Sequence, residues 1–356
     1  MVTSSSMLST SPEVCSTSCH ASRREVIHGD DVSDIRCEPG RGNNKKTFLG
    51  ALISYFVSGF VSLVNNVCKL LGIESPIERL QRTFLIAPNN HVGCTPCELN
   101  IPHEKVEIPS GDGVLRGHLL QAPLETKKTI IFLNGRGHNS SNAIRQLAEL
   151  QKQVNVNILV VDYRGCGESS GTPTLNGLVD DAAAMYDYLK SKGFAENDIS
   201  AYGVSLGGGV ATALATRRPL NTLFVQSSFT SMDDIAGDIM SSILPDVLTD
   251  SLTPLAGSDL NSRSNMRNVK AKNVLILHGT ADEVIPYNHG VSLFRAAKDA
   301  GLNVMFKKIK GAGHTNFSNF YDSEGIHEIF RRILSIEDVN KKVSYINTSR
   351  RLSLAA

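Results

Sequence analysis

Short apolar runs alternate with longer amphipathic runs from about residue 104 to residue 335. The short runs are rich in Val, Ile and Leu, which is typical of strands buried on both faces of a parallel sheet. The longer runs have the spacing of helices with one apolar face. The predicted strands are 105–108, 114–120, 129–133, 158–162, 199–203, 223–226, 274–277 and 304–309, and the predicted helices include 175–191, 206–217 and 288–300.

The first two predicted strands are joined by Gly111-Asp112-Gly113, a sequence typical of a tight hairpin turn. Most of the later strands are separated by a helix-length segment, which a parallel connection requires. The pattern therefore predicts one α/β domain at 104–335 with a mostly parallel, doubly wound sheet. The connection at about 229–270 is short, so we expect it to form a small lid at most.

Three segments outside this domain lack such a pattern. Residues 1–46 are rich in Ser, Thr, Gly and charged residues, and this composition predicts a disordered tail. Residues 73–103 are interpreted as a linker. Residues 336–356 are polar and basic, and we expect them to form a polar tail.

An apolar helix is predicted at 47–72, and residues 47–68 carry no charge. Small residues recur every fourth position on one face of this helix, at Gly50, Ser54, Ser58 and Ser62. Three interpretations remain open: a transmembrane helix, a helix lying in the membrane interface, and a helix docked on the domain. The composition favours membrane association. The alternative localisations are the cytoplasm and export from the cell as an effector.

Composition and charge exclude some functions. Apolar residues make up 41% of the 356 residues, enough for a large core. Lys and Arg (36) nearly balance Asp and Glu (35), which argues against a nucleic-acid-binding surface. The seven cysteines are scattered and odd in number, so no disulfide framework is predicted. Cys94-Thr95-Pro96-Cys97 is interpreted as a loop, and no metal site is predicted.

The strongest chemical signal is Gly203-Val204-Ser205-Leu206-Gly207, which fits the pattern G-x-S-x-G. It follows a predicted strand and begins a predicted helix rich in glycine and alanine. A serine at such a turn projects its hydroxyl group into the site, and the helix N-terminus adds positive potential there. The sequence therefore predicts Ser205 as a catalytic nucleophile.

Two further residues complete the chain order Ser, Asp, His of a hydrolytic triad. Asp282 follows the strand 274–277, and His314 follows the strand 304–309 on a glycine-rich loop. Both predicted positions lie at the carboxyl ends of parallel strands, where such sheets build their sites. No cofactor is expected for this chemistry.

Other acids and bases compete for these roles. Glu283 is the alternative acid, but Asp282 comes first after the strand and is shorter. The alternative bases are His138, His278 and His289. We expect His278 to bond backbone at the end of a buried strand and His289 to lie on the surface.

Acyl transfer also needs two backbone N–H groups to bind the oxyanion. Leu206, which directly follows the nucleophile, is expected to supply one. Arg136 lies in Asn134-Gly135-Arg136-Gly137 after the strand 129–133 and is expected to supply the other. The Arg136 side chain could also meet an anionic substrate.

These motifs, in this order, resemble the α/β-hydrolase superfamily over about 104–335. The segment from Asp162 to Gly171 is part of the resemblance, and the segment from Gln226 to Met232 is similar to the acyl-protein thioesterase and S33-like branch. The N-terminal segments have a looser similarity to chlamydial CHLPS-type hydrolase-like proteins. The family usually has His-Gly where this chain has Asn134-Gly135, a difference that leaves the backbone donor in place.

The resemblance implies an α/β-hydrolase fold with a small lid and a Ser-His-Asp acyl-enzyme mechanism. We expect ester or thioester substrates of lipid-like or acylated character, including acylated proteins. An S33-type serine peptidase is the alternative enzyme; its cap would hold a peptide amine with acids such as Asp234 and Asp238. A catalytically silent hydrolase-fold interaction module is the non-enzyme alternative. The sequence leaves the oligomeric state open.

Overall fold

The computed structural model describes residues 59, 60, 62–91, 93–241 and 260–334. The predicted tails 1–46 and 336–356 lie outside these residues. So do residues 47–58 of the predicted apolar helix and residues 242–259 of the predicted lid.

Eight strands form one sheet, and their bounds lie within a few residues of the predicted runs. The strands are β1 (His103–Ser110), β2 (Gly113–Leu120), β3 (Thr129–Leu133), β4 (Asn157–Val161), β5 (Ile199–Val204), β6 (Leu220–Gln226), β7 (Ala271–Gly279) and β8 (Val304–Ile309). β3 is buried at every residue, as expected of a central strand without a solvent-facing side.

The strand order across the sheet is β1-β2-β4-β3-β5-β6-β7-β8. β1, β2 and β4 pair antiparallel, and every pair from β4–β3 to β7–β8 is parallel. The β1–β2 hairpin closes through the predicted turn, with Ser110 opposite Gly113 and a left-handed φ of 57° at Gly111. The predicted mostly parallel sheet is therefore confirmed.

Helices cover both faces of the sheet. They are α1 (Pro76–Gln81), α2 (Ser140–Val154), α3 (Leu175–Ser191), α4 (Leu206–Arg217), α5 (Met232–Ser241), α6 (Ser262–Asn265), α7 (Tyr287–Asp299) and α8 (Ile326–Ile333). One apolar core lies under α3, α4 and α7, and a second lies under α2 and α8. This two-sided arrangement confirms the doubly wound architecture.

β3 is the point where the strand order reverses. The chain leaves β3 for β4 on one side of it and later returns as β5 on the other side. In open α/β sheets, ligands bind outside the carboxyl ends of the strands at such a switch point. Leu133 of β3 pairs with Gly203 of β5, so the loop after β3 lies directly beside the turn after β5.

The segment before the domain has more structure than a linker. Within 73–103, α1 is followed by a π-helix at Arg82–Ile86, and Ile86 is buried in the core under α3 and α4. Both elements are too short to show a helical repeat in the sequence. Residues 62–70 are helical, but no helix among the described residues is long and apolar enough to cross a membrane.

Candidate active site

Ser205 occupies a tight turn between β5 and α4. Its backbone has φ 55° and ψ −119°, a conformation that residues with a side chain rarely adopt. Close packing enforces the turn, because a Cβ atom at Gly203 would lie 2.0 Å from the Gly207 carbonyl oxygen. A Cβ atom at Gly207 would lie 2.0 Å from the Leu133 carbonyl oxygen. The two glycines of the motif are therefore required by the space around them.

The backbone of Ser205 is also fixed from β6 and the residues after it. The Ser205 N–H donates to the Gln226 carbonyl oxygen at 2.9 Å. The Ser228 hydroxyl donates to the Ser205 carbonyl oxygen at 2.8 Å, and so does the Gly208 N–H at 2.9 Å. A strained conformation persists only where its surroundings over-determine it, and these bonds supply that constraint.

His314 lies between Ser205 and Asp282. Its Nε2 is 3.2 Å from the Ser205 Oγ. Its Nδ1 is 2.9 Å from Asp282 Oδ2 and 3.0 Å from Oδ1. Because a carboxylate only accepts, Nδ1 carries the proton and Nε2 is left to accept the Ser205 hydroxyl proton. The structure thus brings the three predicted residues together with the geometry of a general base and its orienting acid.

Asp282 is buried, with 8% of its surface exposed, in the turn after β7. The N–H groups of Ile285 and Val284 donate to its Oδ1 at 2.8 and 3.1 Å. Burial alone would raise the pKa of Asp282, but the bonds from His314 and the Ile285 amide outweigh it and lower that pKa. Asp282 is therefore ionised at neutral pH and can stabilise a protonated His314.

The alternative acid and two alternative bases have other contacts. Glu283 approaches the backbone N–H of His314 at 3.4 Å. His278 is buried, and its Nε2 donates to the Ile285 carbonyl oxygen at 2.9 Å, as expected. His138 is exposed, and its Nδ1 lies 3.0 Å from the Arg136 carbonyl oxygen.

The prediction that His289 lies on the surface is wrong, because only 3% of its surface is exposed. Its Nδ1 accepts the Thr230 N–H at 3.1 Å, so Nε2 carries the proton that it donates to Asp238 at 2.7 Å. His289 therefore joins the start of α7 to α5. The sequence showed its place in α7 but not the helix that covers it.

Each predicted oxyanion donor directly follows a residue at or beside the nucleophile: Leu206 follows Ser205, and Arg136 follows Gly135. Leu206 is the first residue of α4, and a Cβ atom at Gly135 would lie 3.4 Å from the Ser205 Cβ. Asn134, at the family's histidine position, is buried, and its Nδ2 has no hydrogen-bond partner within the described part of the chain. The Arg136 side chain contacts the protein itself, because its Nε donates to the Phe84 carbonyl oxygen at 2.6 Å.

Residues before the domain support the loop after β3, which the linker interpretation missed. The Gly137 N–H donates to the Ile86 carbonyl oxygen at 3.0 Å, and Asn89 Nδ2 donates to the Gly137 carbonyl oxygen at 3.1 Å. Asn139 Nδ2 donates to the carbonyl oxygens of Asn89 and His91. No local sequence pattern predicts these hydrogen bonds, because the partners are about 48 residues apart along the chain.

Asp162 is a second supporting residue that sequence reasoning left without a role. It follows β4, and its carboxylate accepts the N–H groups of Ser140 at 2.5 Å and Glu168 at 3.1 Å. These bonds attach the start of α2 to the loop after β4. Burial nevertheless raises the pKa of Asp162. Its position at a strand's carboxyl end was the available signal.

Cys97 Sγ lies 3.7 Å from His103 Nε2, and a cavity of about 150 Å³ lies beside Cys94 and Cys97. Ser205, Asp282 and His314 are not among the residues that line this cavity. Within the described ranges, no cluster of three or more His, Cys, Asp or Glu side chains could hold a metal ion.

Comparisons with known proteins identify the family of this chain. The model of the prolyl oligopeptidase family matches residues 146–334, more than half of the chain. The protein bem46 of Schizosaccharomyces pombe is 26% identical over 264 residues, covering 70% of this chain and 82% of that protein. Lysophosphatidylserine lipase ABHD12 of Rattus norvegicus is 29% identical over 180 residues, covering 47% of this chain and 45% of that protein.

A solved α/β-hydrolase from Vibrio vulnificus has a similar fold. It superposes with a TM-score of 0.61 at 23% identity, covering 72% of this chain and 94% of that chain. The expected α/β-hydrolase fold is confirmed by this likeness together with the sheet order.

Proposed function

The chain belongs to the prolyl oligopeptidase family and is a serine hydrolase of the α/β-hydrolase superfamily, and from this premise we propose that it cleaves carboxylic ester or thioester bonds of lipid-like or acylated substrates. The contact of His314 with both Ser205 and Asp282 is the observation that carries the proposal. The name of the similar rat protein, a lysophosphatidylserine lipase, supports a lipid-like ester.

In the proposed reaction, His314 Nε2 takes the proton of the Ser205 hydroxyl while Oγ attacks the substrate carbonyl carbon. The N–H groups of Leu206 and Arg136 bind the oxyanion of the tetrahedral intermediate. Its collapse breaks the bond to the leaving group, which takes the proton from His314. Water then attacks the acyl-enzyme with His314 again as base, releasing the acid and free Ser205.

Peptide hydrolysis is the second candidate, because the matching family is named for an oligopeptidase. Acids near the lid would have to bind a peptide amine. Two of them already have internal partners: Asp234 lies 3.1 Å from Arg263, and Asp238 lies 2.7 Å from His289. These contacts favour the ester over the peptide substrate.

Labelling with a fluorophosphonate probe tests the nucleophile. We expect wild type and Ser191→Ala, an exposed serine at the end of α3, to be labelled and Ser205→Ala to stay unlabelled. Ser205→Ala should also lower kcat by about 10³-fold or more. Unlabelled wild-type protein would reject the mechanism and favour the silent interaction module.

A substrate panel tests the substrate class. Acetyl, octanoyl and palmitoyl esters and thioesters, a lysophospholipid and a prolyl peptide amide would be compared by kcat/KM. We expect the long acyl chains to be preferred. A preference for acetyl esters would contradict the lipid-like class, and a preference for the peptide amide would favour the peptidase.

We also propose that the protein works at a lipid surface. Exposed apolar side chains, named here the N-terminal apolar surface, support this: Phe60, Leu63, Val67, Leu70, Leu71, Ile73, Leu80 and Phe84. Leu70 is 86% exposed, and solvated apolar clusters of this kind mark interaction sites. The Phe84 carbonyl bonds the Arg136 side chain, so the surface borders the proposed oxyanion loop.

Vesicle flotation tests this location. We expect the full chain to float with phosphatidylcholine vesicles that contain phosphatidylserine, and Leu70→Glu with Leu71→Glu to remove most of that binding. Two glutamates at polar exposed sites, Gln121→Glu with Ser191→Glu, add the same negative charge and provide the control. Equal flotation of both double variants would contradict the proposal.

A further inference from the structure

Gln226 is the last residue of β6 and is 3% exposed. Its main chain and its side chain contact different parts of the site. Its carbonyl oxygen accepts the Ser205 N–H at 2.9 Å. Its side-chain Oε1 lies within hydrogen-bond distance of the hydroxyl groups of Tyr202 and Tyr321, the latter at 3.0 Å. One residue therefore contacts the nucleophile directly and also contacts two buried tyrosines.

The two tyrosines lie close in sequence to different members of the triad. Tyr202 lies on β5, the strand that leads into Ser205. Tyr321 lies on the segment that follows His314, directly after the 3₁₀ helix Phe317–Phe320. Their hydroxyl oxygens are 2.5 Å apart. Through Gln226, this contact joins the strand before the nucleophile to the segment after the base.

The number of hydroxyl protons limits how many hydrogen bonds the network can make. The two hydroxyl oxygens and Gln226 Oε1 all lie within hydrogen-bond distance, but the hydroxyls supply only two protons. The two protons can therefore serve only two of these three contacts at a time, and either hydroxyl can be the donor in the contact between the tyrosines. Gln146 Nε2 of α2 donates to the Tyr321 oxygen at 3.0 Å, which completes the set.

These groups stay neutral over the range in which enzymes are assayed. Full burial raises the pKa of Tyr321 to about 12 and also raises the pKa of Tyr202 well above its ordinary value. A buried polar group that loses its partner costs more free energy than the bond contributes. The partners on β5 and β6, Tyr202 and Gln226, therefore hold Tyr321 in place whichever hydroxyl is the donor.

The histidine segment needs such an attachment. Gly311 has a left-handed φ of 76°, and no heavy atom lies within 4 Å of the position of a Cβ atom there. His314, three residues later, must nevertheless keep its Nε2 at 3.2 Å from Ser205 Oγ. Misplacement of a catalytic group by about 1 Å can lower the rate 10²-fold.

We propose that Gln226 is a positioning residue, which through Tyr202 and Tyr321 holds the His314 segment in register with the Ser205 turn. This inference rests on the proposed serine hydrolase mechanism and adds residues that touch neither substrate nor reacting atoms. Loss of a hydroxyl should let the His314 segment shift, so that fewer molecules have His314 in contact with Ser205.

The test uses Tyr321→Phe and Tyr202→Phe in the full chain, with Tyr186→Phe as the matched control. Tyr186 of α3 is buried under the opposite face of the sheet, and its hydroxyl has no hydrogen-bond partner within the described residues. We expect each network variant to lower kcat and the rate of Ser205 labelling by a fluorophosphonate about tenfold, corresponding to about 1.4 kcal/mol, with KM nearly unchanged. The control should keep the wild-type rate.

Two further readouts separate positioning from general stability. The downfield proton NMR resonance of the His314–Asp282 hydrogen bond should broaden or shift in Tyr321→Phe and stay in place in Tyr186→Phe. The double variant Tyr202→Phe with Tyr321→Phe should lose less than the product of the two single losses, because the hydroxyls act as one unit.

The experiment distinguishes failure of the positioning role from failure of the proposed hydrolase function. Unlabelled wild-type protein rejects the mechanism itself. Labelled wild type together with Tyr321→Phe that reacts at the wild-type rate overturns the positioning role. An equal loss of rate in Tyr186→Phe also overturns it, because the effect would then come from any buried tyrosine hydroxyl.

Discussion

The Ser205 turn and the His314 segment belong to one site but are fixed in different ways. The Ser205 turn is fixed by its own backbone, since Gly203 and Gly207 leave no room for a Cβ atom. The His314 segment has open space around Gly311. Side-chain hydrogen bonds fix it instead: the Gly311 N–H donates to Thr280 Oγ1 from the turn after β7, and the Gly313 N–H donates to Asn316 Oδ1 within the segment.

The two regions therefore show two ways of fixing the position of a catalytic side chain. A turn set by close backbone packing resists movement because any shift brings backbone atoms into overlap. A segment set by a few hydrogen bonds can move when one of them is lost, at a cost of about 1 kcal/mol each. Changes in the first region should therefore affect folding, and changes in the second should affect chiefly the rate.

The largest expected effect is that of Gly203→Ala. The new Cβ atom would lie 2.0 Å from the Gly207 carbonyl oxygen, and the buried strand and helix cannot separate to accommodate it. We expect the free energy of unfolding, measured by urea titration, to fall by at least about 3 kcal/mol, or the chain to fail to fold.

Gly311→Ala is the matched variant in the other region. It has a positive φ but open space, so we expect a loss of only about 1–2 kcal/mol. Similar losses in the two variants would show that close packing does not distinguish the regions.

A smaller effect is expected for Asn316→Ala, which removes the acceptor that the Gly313 N–H contacts at 2.8 Å. The free energy of unfolding should fall by about 1 kcal/mol or less, and kcat should fall several-fold because Gly313 precedes His314. Asn319→Ala, at an exposed site in the same segment, should leave kcat unchanged. An unchanged kcat in Asn316→Ala would argue against side-chain control of the segment.

The smallest effect is a pH dependence that involves His278, which ends β7 beside Asp282. Burial lowers the pKa of His278 below its ordinary value of 6.5. Below pH 6.5 the unfolded chain therefore binds a proton that the folded chain excludes, and stability falls as the pH decreases. The slope from this one group is at most about 1.4 kcal/mol per pH unit.

Thermal melts of wild type, His278→Gln and the exposed-site control His138→Gln would check this slope. We expect only His278→Gln to flatten the loss of stability below pH 6.5. Asp282 acts in a separate window, because its lowered pKa adds stability that is lost only as the pH falls below its ordinary 3.8. An unchanged slope in His278→Gln would show that other groups control the acid response.

The sequence predicted the sheet because each strand is a local apolar run, and the structure confirms its eight strands. It also predicted Ser205, Asp282 and His314, each of which follows a strand, and the structure places them in contact. It misplaced His289, which is buried and contacts Asp238 of α5. It also showed no role for the 73–103 segment, which bonds the loop after β3.

The sequence by itself determined the α/β architecture, the strained serine turn and the strand ends that carry the acid and the base, because these depend on residues close together along the chain. Only the tertiary structure decided how the His314 segment is held. Its contact with Gln226 joins residues 95 positions apart, and its contact with Gln146 joins residues 175 apart. Such pairs form only when the sheet brings distant segments together, so no local pattern of apolar and polar positions records them.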